Sequence, residues 1–376
     1  MKIAVVSETF HPFKGGSAKR YHEVFKRIVR MGHDVELHTV KLREDWPEEE
    51  KVDGIRVFRS MPLENFITKT GFRDVKQVLQ FTSWAFSSVL QNDGVEIVEA
   101  NHCPIFPSMG SWLLSKLRNE PLCVTFHEAW HSEWYRYVPR RLLAPLGIAL
   151  EGLTTRLPDV GIAVSQMTAD RLIHLFGLAK GKIRVIPNGV DLPLFESVKA
   201  ERERHKIVFV GRLNPHKKIE WLLDAFDRIR DEFPDAILEF VGDGVMKNKL
   251  QGKDGIVCRG AVDDVELVRA LKSAWVYVLP SIREGQSITT LEAMAAGTPQ
   301  IVVDAPGNGA AELVRSSRSG LVVNPSAGGI QDALVALIRN QGQWAQFHRR
   351  SLEFVVNYSW DRVARSYLQT YQSMLN

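Results

Sequence analysis

The residues best placed to do chemistry fall in one stretch, Pro280-Ser281-Ile282-Arg283-Glu284-Gly285-Gln286-Ser287-Ile288-Thr289-Thr290-Leu291-Glu292. Ahead of it, the β-branched and aromatic run Trp275 to Leu279 predicts a buried strand. After it, Leu291 and Met294-Ala295 recur at helical spacing, and Gly297 and Pro299 stop the helix. Glu284 therefore sits in the turn between strand and helix, and Glu292 lies about two helical turns further on. Backbone N–H groups near Ser287 to Thr289 would open into the same crevice, a setting that suits an anion such as a diphosphate. Two hydroxyl-binding acids flanking an anion site would suit a nucleotide sugar. Spacing alone favours a plainer reading, a loop glutamate and a helix-face glutamate on an ordinary Rossmann unit.

Cations stand upstream. Ile207-Val208-Phe209-Val210-Gly211-Arg212-Leu213 leads to Lys217. At a strand's carboxyl end, arginine offers phosphate a planar fork and lysine a point charge. Without Glu284 and Glu292 the same two residues would read as solvated surface cations. Nearer the start, strand Lys2–Val6 leads to Gly15-Gly16, which would let backbone approach a phosphate or sugar closely. By itself that glycine pair reads as a turn. Strand Leu122–Phe126 delivers His127 to the same sheet edge, while Asn101-His102, after strand Val95–Glu99, reads as a turn with a partly exposed histidine.

These residues need rigid elements behind them. A chain of 376 residues is long enough for two domains, each with its own core. Hydrophobic content of 45% and charged content of 24% describe an ordinary globular protein. A net charge of +4 suits a phosphorylated substrate or an anionic surface but falls short of a nucleic-acid signature. Cys103, Cys123 and Cys258 are far apart, so neither a disulfide framework nor a zinc site is expected, and a reducing cytoplasm fits. The first residues are too short an apolar run for a signal peptide, and no segment approaches the ~20 apolar residues of a spanning helix.

Along the chain, a helix from about Ser17 to Met31 follows Gly16, then strand Val35–Val40. Residues 41–72 read as a charged surface connection with one strand near Ile55–Phe58, and a helix spans about Val75 to Gln91. Trp130, Trp134, Tyr135 and Tyr137 would stack on sugar rings, anchor a lid or simply pack. The stretch from Arg136 to Leu150 mixes arginines with apolar residues, as membrane-surface segments do. Pro139, Pro145 and Gly147 interrupt it, so burial against the first domain is the leading expectation and membrane contact the minority one. Strand Val160–Ser165 and a helix from about Met167 precede Ile183-Arg184-Val185-Ile186-Pro187 and the turn signal Asn188-Gly189. Strands follow at Ile237–Val241 and Gln300–Val303, Gly255 to Val262 gives a further strand and a loop, and a flexible loop is expected at 305–309 and a last helix from Trp360 to Met374.

Taken in order, the glycines, His127, Gly211-Arg212 with Lys217, Glu284 and Glu292 resemble the retaining glycosyltransferases of family 4, the glycosyl transferases group 1. The resemblance implies the α/β GT-B fold, two Rossmann-like doubly wound domains facing each other across a cleft. It implies an acceptor-side domain of residues 1–187 plus the returning C-terminal helix 360–376, a linker of 188–205, and a nucleotide-sugar domain of 206–359. It also implies transfer of a sugar, a hexose for preference, from a nucleoside-diphosphate sugar to a hydroxyl of a glycan, glycolipid or small molecule. His127 would lie beside the sugar, with Arg212 and Lys217 on the leaving diphosphate, Glu284 on the sugar hydroxyls and Glu292 on the ribose. Gly15, Gly16, Gln286, Ser287, Ile288 and Thr289 complete the donor site, with backbone from Arg259 to Val262 against the base.

The family commonly has Phe-Gly where this chain has Gln286-Ser287, and often glycine at Lys218. With no Asp-x-Asp in the chain, neither a metal nor a cofactor is expected, the nucleotide sugar being a substrate. Donor binding is expected to narrow the interdomain cleft. The expected partners are the nucleotide sugar and a carbohydrate or lipid-linked acceptor, with no nucleic acid. The expected location is cytoplasmic, with peripheral contact at the inner membrane face as the minority reading. A sugar-nucleotide epimerase of similar shape, or a silent nucleotide-sugar-binding protein, is the alternative.

Overall fold

A computed structural model describes residues 1–63, 74–102, 105–138, 141–250 and 252–376. Cys103, the Pro139-Arg140 pair and residues 64–72 of the charged connection lie outside the described residues. The chain forms two compact units, Met1–Pro187 with Trp360–Asn376, and Asn188–Ser359. The expected linker residues 188–205 cluster with the second unit.

The first unit is built on strands β1 (Lys2–Val6), β2 (Asp34–Lys41), β3 (Glu49–Val52), β4 (Ile55–Pro62), β5 (Ile97–Asn101), β6 (Leu122–Phe126), β7 (Val160–Ala163) and β8 (Ile183–Val185). They form one sheet in the order β3-β4-β2-β1-β5-β6-β7-β8, parallel except where β3 pairs antiparallel with β4. Ile3, Ala4, Val5 and Val6 are all buried, as a strand covered on both faces requires. The covering helices are α1 (Gly16–Arg30), α2 (Val75–Leu90), α3 (Ile105–Arg118), the short α4 (Trp134–Tyr137), α5 (Ala144–Thr155) and α6 (Gln166–Phe176).

Sequence reading found β4 but not β3. Glu-Glu-Lys-Val has little strand character, yet charges suit an edge strand. The missed signal is Asp53-Gly54, with φ of 47° and 90°, a two-residue turn matched to strand twist.

In the second unit, α7 (Leu192–Ser197) precedes β9 (Glu203–Val210), β10 (Ile237–Val241), β11 (Ile256–Gly260), β12 (Ala274–Leu279), a short β13 (Arg283–Glu284), β14 (Gln300–Val303), β15 (Gly307–Asn308) and β16 (Gly320–Val323). The main sheet is wholly parallel in the order β11-β10-β9-β12-β14-β16, and β13 pairs with β15 apart from it. Helices α8 (Ile219–Ile229), α9 (Asp264–Ser273), α10 (Ile288–Ala295), α11 (Gly309–Ser317), α12 (Ala327–Arg339) and α13 (Gln341–Val355) complete the unit. Both sheets reverse strand order beside their first long strand. In the second unit that switch point lies between β9 and β12, where doubly wound folds bind ligands.

The last helix, α14 (Trp360–Leu375), returns to the first unit and packs on α1. Val363, Tyr367 and Tyr371 are buried, as their spacing predicts. Arg20 donates from Nε to Tyr367 Oη at 3.0 Å and from Nη2 to the Ile186 carbonyl at 2.7 Å. Beneath it, Glu99 accepts from Tyr21 Oη (3.1 Å), Thr125 Oγ1 (2.6 Å) and Tyr371 Oη (3.1 Å). Burial outweighs these hydrogen bonds and pushes Glu99 up to about 7.

Candidate active site

In the second unit the site grows from two loops at the switch point. β9 leads into Gly211, whose φ of 151° favours glycine, and a Cβ on Gly242 would stand 2.1 Å from the Gly211 carbonyl oxygen. Glycine at both places lets the carboxyl ends of β9 and β10 close together, so the loop carrying Arg212 and Lys217 leaves from a fixed base. Lys218 then opens α8 at φ 49°, a left-handed conformation that glycine adopts without strain. That conformation explains why glycine suits this position.

The second loop follows β12. Arg283-Glu284 is held as β13 against Gly307-Asn308. Asn308 donates from Nδ2 to the Val303 carbonyl (2.8 Å) and accepts from the Ala310 amide (3.1 Å). Gly309 packs so tightly that a Cβ would lie 2.3 Å from the Gly285 carbonyl oxygen and 3.0 Å from that of Glu284. Residues 307–309 were expected to be flexible. Instead they form a strand and the first turn of α11, and they clamp the loop that carries Glu284.

The two loops meet in a direct ion pair between Lys217 Nζ and Glu284 Oε1, each side chain only 13% exposed. His216, one residue before Lys217, accepts from the Ile282 amide through its carbonyl (3.1 Å). Burial, reinforced by Lys217, Arg283 and Arg212, drives its imidazole down to about 2. The imidazole is therefore neutral chiefly because it is buried, with Lys217, Arg283 and Arg212 each adding to the effect.

Ser287 caps α10, its hydroxyl accepting from the Thr290 amide at 3.2 Å and lying 3.0 Å from Thr289 Oγ1. Tyr277 Oη reaches that same Thr289 oxygen at 2.7 Å. Burial raises the Tyr277 phenol far above its ordinary value, so it stays a hydrogen-bonding group. First-turn amides at Ile288 and Thr289 carry the partial positive charge of a helix start. Glu292 is buried on the same helix, one turn past Ile288.

Gln286 is itself anchored within the second unit. Its side-chain carbonyl accepts from the Asn188 amide, and its backbone carbonyl accepts from Asn188 Nδ2 at 3.0 Å. The residue that replaces the family's phenylalanine thus ties the Asn188-Gly189 segment to the loop that follows β13.

Arg259 lies two strands beyond β9 on edge strand β11, its Nε bonded to Glu239 Oε1 at 2.6 Å. Val262 packs partly buried on the core. Backbone after β11 stays at the carboxyl edge through the Gly242–Gly260 bridge.

In the first unit, Gly15 caps α1 in an extended conformation that any residue adopts, and a Cβ there would meet the Phe13 ring at 3.0 Å. Close packing, rather than backbone conformation, favours glycine at Gly15. His127 follows β6, and its Nε2 is buried without a hydrogen-bond partner among the described residues. Burial, then Arg20 and His102, lowers it to about 3. It is a neutral imidazole with bonding capacity unspent. His102 corrects the sequence expectation. It is buried rather than partly exposed, bonded from Nε2 to Thr154 Oγ1 at 3.0 Å, and lowered by burial to about 3.

Tyr277, Asn308-Gly309 and Asn188, the partner of Gln286, were not expected to support this region. Tyr277 was hidden in an apolar strand, and Asn308-Gly309 carried a turn signal that read as looseness.

Two doubly wound units of this kind are also found in solved structures. Sucrose-phosphate synthase from Thermosynechococcus elongatus superposes with a TM-score of 0.82 at 21% identity, covering 99% of this chain and 98% of that one. An Anabaena protein, HepE, in complex with UDP-glucose superposes with a TM-score of 0.76 at 16% identity, covering 99% of this chain and all of that one. The fold is GT-B. In sequence, the Glycosyltransferase Family 4 pattern matches residues 14–193 and the Glycosyl transferases group 1 pattern residues 204–340. Phosphatidyl-myo-inositol mannosyltransferase of Mycobacterium leprae is 30% identical over 284 residues, covering 73% of this chain and 72% of that protein. The chain belongs to glycosyltransferase family 4, and it is a glycosyltransferase of the hexosyltransferase type.

Proposed function

We propose that the protein transfers a hexose from a nucleoside-diphosphate sugar to a hydroxyl acceptor, retaining anomeric configuration and needing no divalent metal. The observation that carries this reading is the Lys217–Glu284 pair at the β9/β12 switch point, with Lys217 on the same loop as Arg212. A diphosphate would take the ammonium and guanidinium, freeing Glu284 to accept hydrogen bonds from the transferred sugar. Charge developing on the leaving phosphate would then meet preorganised cations and the amides at the start of α10. Glu292 would hold the ribose hydroxyls. His127, neutral across the working pH range, would offer a sugar hydroxyl a hydrogen bond without adding charge.

HepE was crystallised with UDP-glucose, which supports a nucleotide-sugar donor here. The mycobacterial relative's name specifies a lipid acceptor, which supports a lipid-linked hydroxyl as one acceptor class.

The test is incubation with a panel of nucleoside-diphosphate hexoses and hydroxyl acceptors, with and without EDTA. Product configuration is read from the anomeric proton coupling. Turnover with retention, unchanged by EDTA, is expected. Inversion, or activity abolished by EDTA and restored by magnesium, would overturn the reading, and acceptor-free conversion of the donor to its epimer would favour an epimerase.

A further inference from the structure

Helix α5 is built inside out. Its buried face carries Ala144, Gly147, Glu151, Thr154 and Thr155, where a surface helix ordinarily turns leucines inward. Each buried residue has a reason to be there. The Glu151 carboxylate accepts from the Trp130 amide (2.7 Å), the His131 amide (2.9 Å) and Trp134 Nε1 (2.7 Å). Gly147 makes room for the Trp134 ring, which a Cβ would meet at 2.6 Å. Thr154 receives His102. Polar and small groups thus fill most of the interior face, Ile148 packs partly buried on the core, and several leucines are left outside.

Leu142 is 93% exposed, Leu143 49%, Leu146 58% and Leu153 50%. Leu142 and Leu143 lie just ahead of the first turn, and Leu146 and Leu153 share the outer face at i, i+7 spacing. Pro145, expected to interrupt a helix here, instead occupies its first turn, where proline is tolerated. The expected burial of this stretch against the first unit does not hold for Leu142, Leu143 and Leu146.

Charge decides what would cover them. From Trp134 to Pro158 the sequence has four arginines, Arg136, Arg140, Arg141 and Arg156, and a single acid, Glu151. That acid is buried, whereas Arg141 and Arg156 are exposed at the two ends of the leucine face. Asp159, just beyond the segment, lies 3.6 Å from Lys116. A second copy docking through the same patch would bring arginines onto arginines, with no carboxylate of this face to meet them. Anionic headgroups around an apolar interior supply both missing partners.

We propose that this face docks the protein on anionic lipid bilayers, with the leucines entering the interfacial zone and Arg141 and Arg156 held at the headgroups. The proposal is independent of the donor site, and its test reads binding rather than turnover. The full-length protein is sedimented with phosphatidylcholine vesicles, with and without phosphatidylglycerol, at low and high salt. Two variants are compared, Leu142→Ser/Leu146→Ser/Leu153→Ser and Arg141→Glu/Arg156→Glu. Both change exposed positions, and melting curves confirm that each is folded. The wild type is expected to pellet with the anionic vesicles and poorly with the neutral ones. Each variant should bind at least about tenfold more weakly, and salt should weaken the wild type. Absence of wild-type binding to anionic vesicles, or binding that neither variant changes, would overturn the proposal. So would a wild-type dimer in sedimentation equilibrium that the serine variant dissolves, because the face would then join two copies.

Discussion

The Lys217 ammonium is paired directly with the Glu284 carboxylate across the point where the second unit's sheet reverses its strand order. The pair joins residues 67 positions apart and holds a cation and an acid in mutual neutrality where the proposed diphosphate would bind. Lys217→Ala should lower kcat/KM by roughly 10²–10³-fold, the usual loss when one preorganised donor to developing charge is removed. Glu284→Gln should act mainly through the sugar, leaving affinity for the nucleoside diphosphate nearly unchanged. Comparing diphosphate affinity with turnover in the two variants checks this division of roles.

Gly309→Ala tests the clamp on the Glu284 loop. The added methyl would stand 2.3 Å from the Gly285 carbonyl oxygen, so the Glu284 loop must move. Displacement of that order at a reacting centre should lower turnover by about 10²-fold. Wild-type kinetics in a folded Gly309→Ala protein would show that the loop position is not critical.

The Gln286–Asn188 tie should matter less, but measurably. Gln286→Ala removes the acceptor for the Asn188 amide, a loss on the order of 1 kcal/mol that loosens the donor loop. The expected outcome is a several-fold rise in donor KM, with the melting temperature lowered slightly. Asn188→Ala, which loses the bond to the Gln286 carbonyl, should behave alike.

Two buried groups in the first unit give opposite pH dependences. Glu99 is raised to about 7 from 4.5, so the folded state holds a proton that the unfolded chain releases. Its contribution is complete below pH 4.5 and is lost as pH rises through 7, at about 1.4 kcal/mol per pH unit. Glu99→Gln should therefore melt higher than wild type at pH 8 and gain nothing at pH 4. His102, lowered to about 3 from 6.5, binds its proton more readily when unfolded. Its contribution is complete above pH 6.5 and falls as pH drops towards 3. Denaturant titrations at several pH values, on wild type and on His102→Gln, would resolve the two slopes.

Much of this was legible in the sequence, for identifiable reasons. Trp275 to Leu279 and Leu122 to Phe126 fall in the expected strands because strands covered on both faces must be continuously apolar. Lys217 and Glu284 were read as one site only through the order of motifs, since nothing local shows that residues so far apart in sequence meet. The inverted face of α5 was not legible. Its leucines look like core until Glu151 is seen collecting Trp130, His131 and Trp134 from a neighbouring turn. Likewise His102 looked like a turn residue, because its partner Thr154 is 52 positions away.

The most direct measurement is calorimetric titration of UDP, GDP and ADP into the wild-type protein and into Arg212→Ala, in the presence of EDTA. The account predicts that at least one diphosphate binds the wild type at a single site and that Arg212→Ala weakens it by roughly 10–100-fold. Failure of all three to bind, or equal binding by both proteins, would contradict a diphosphate site at Arg212, Lys217 and Glu284.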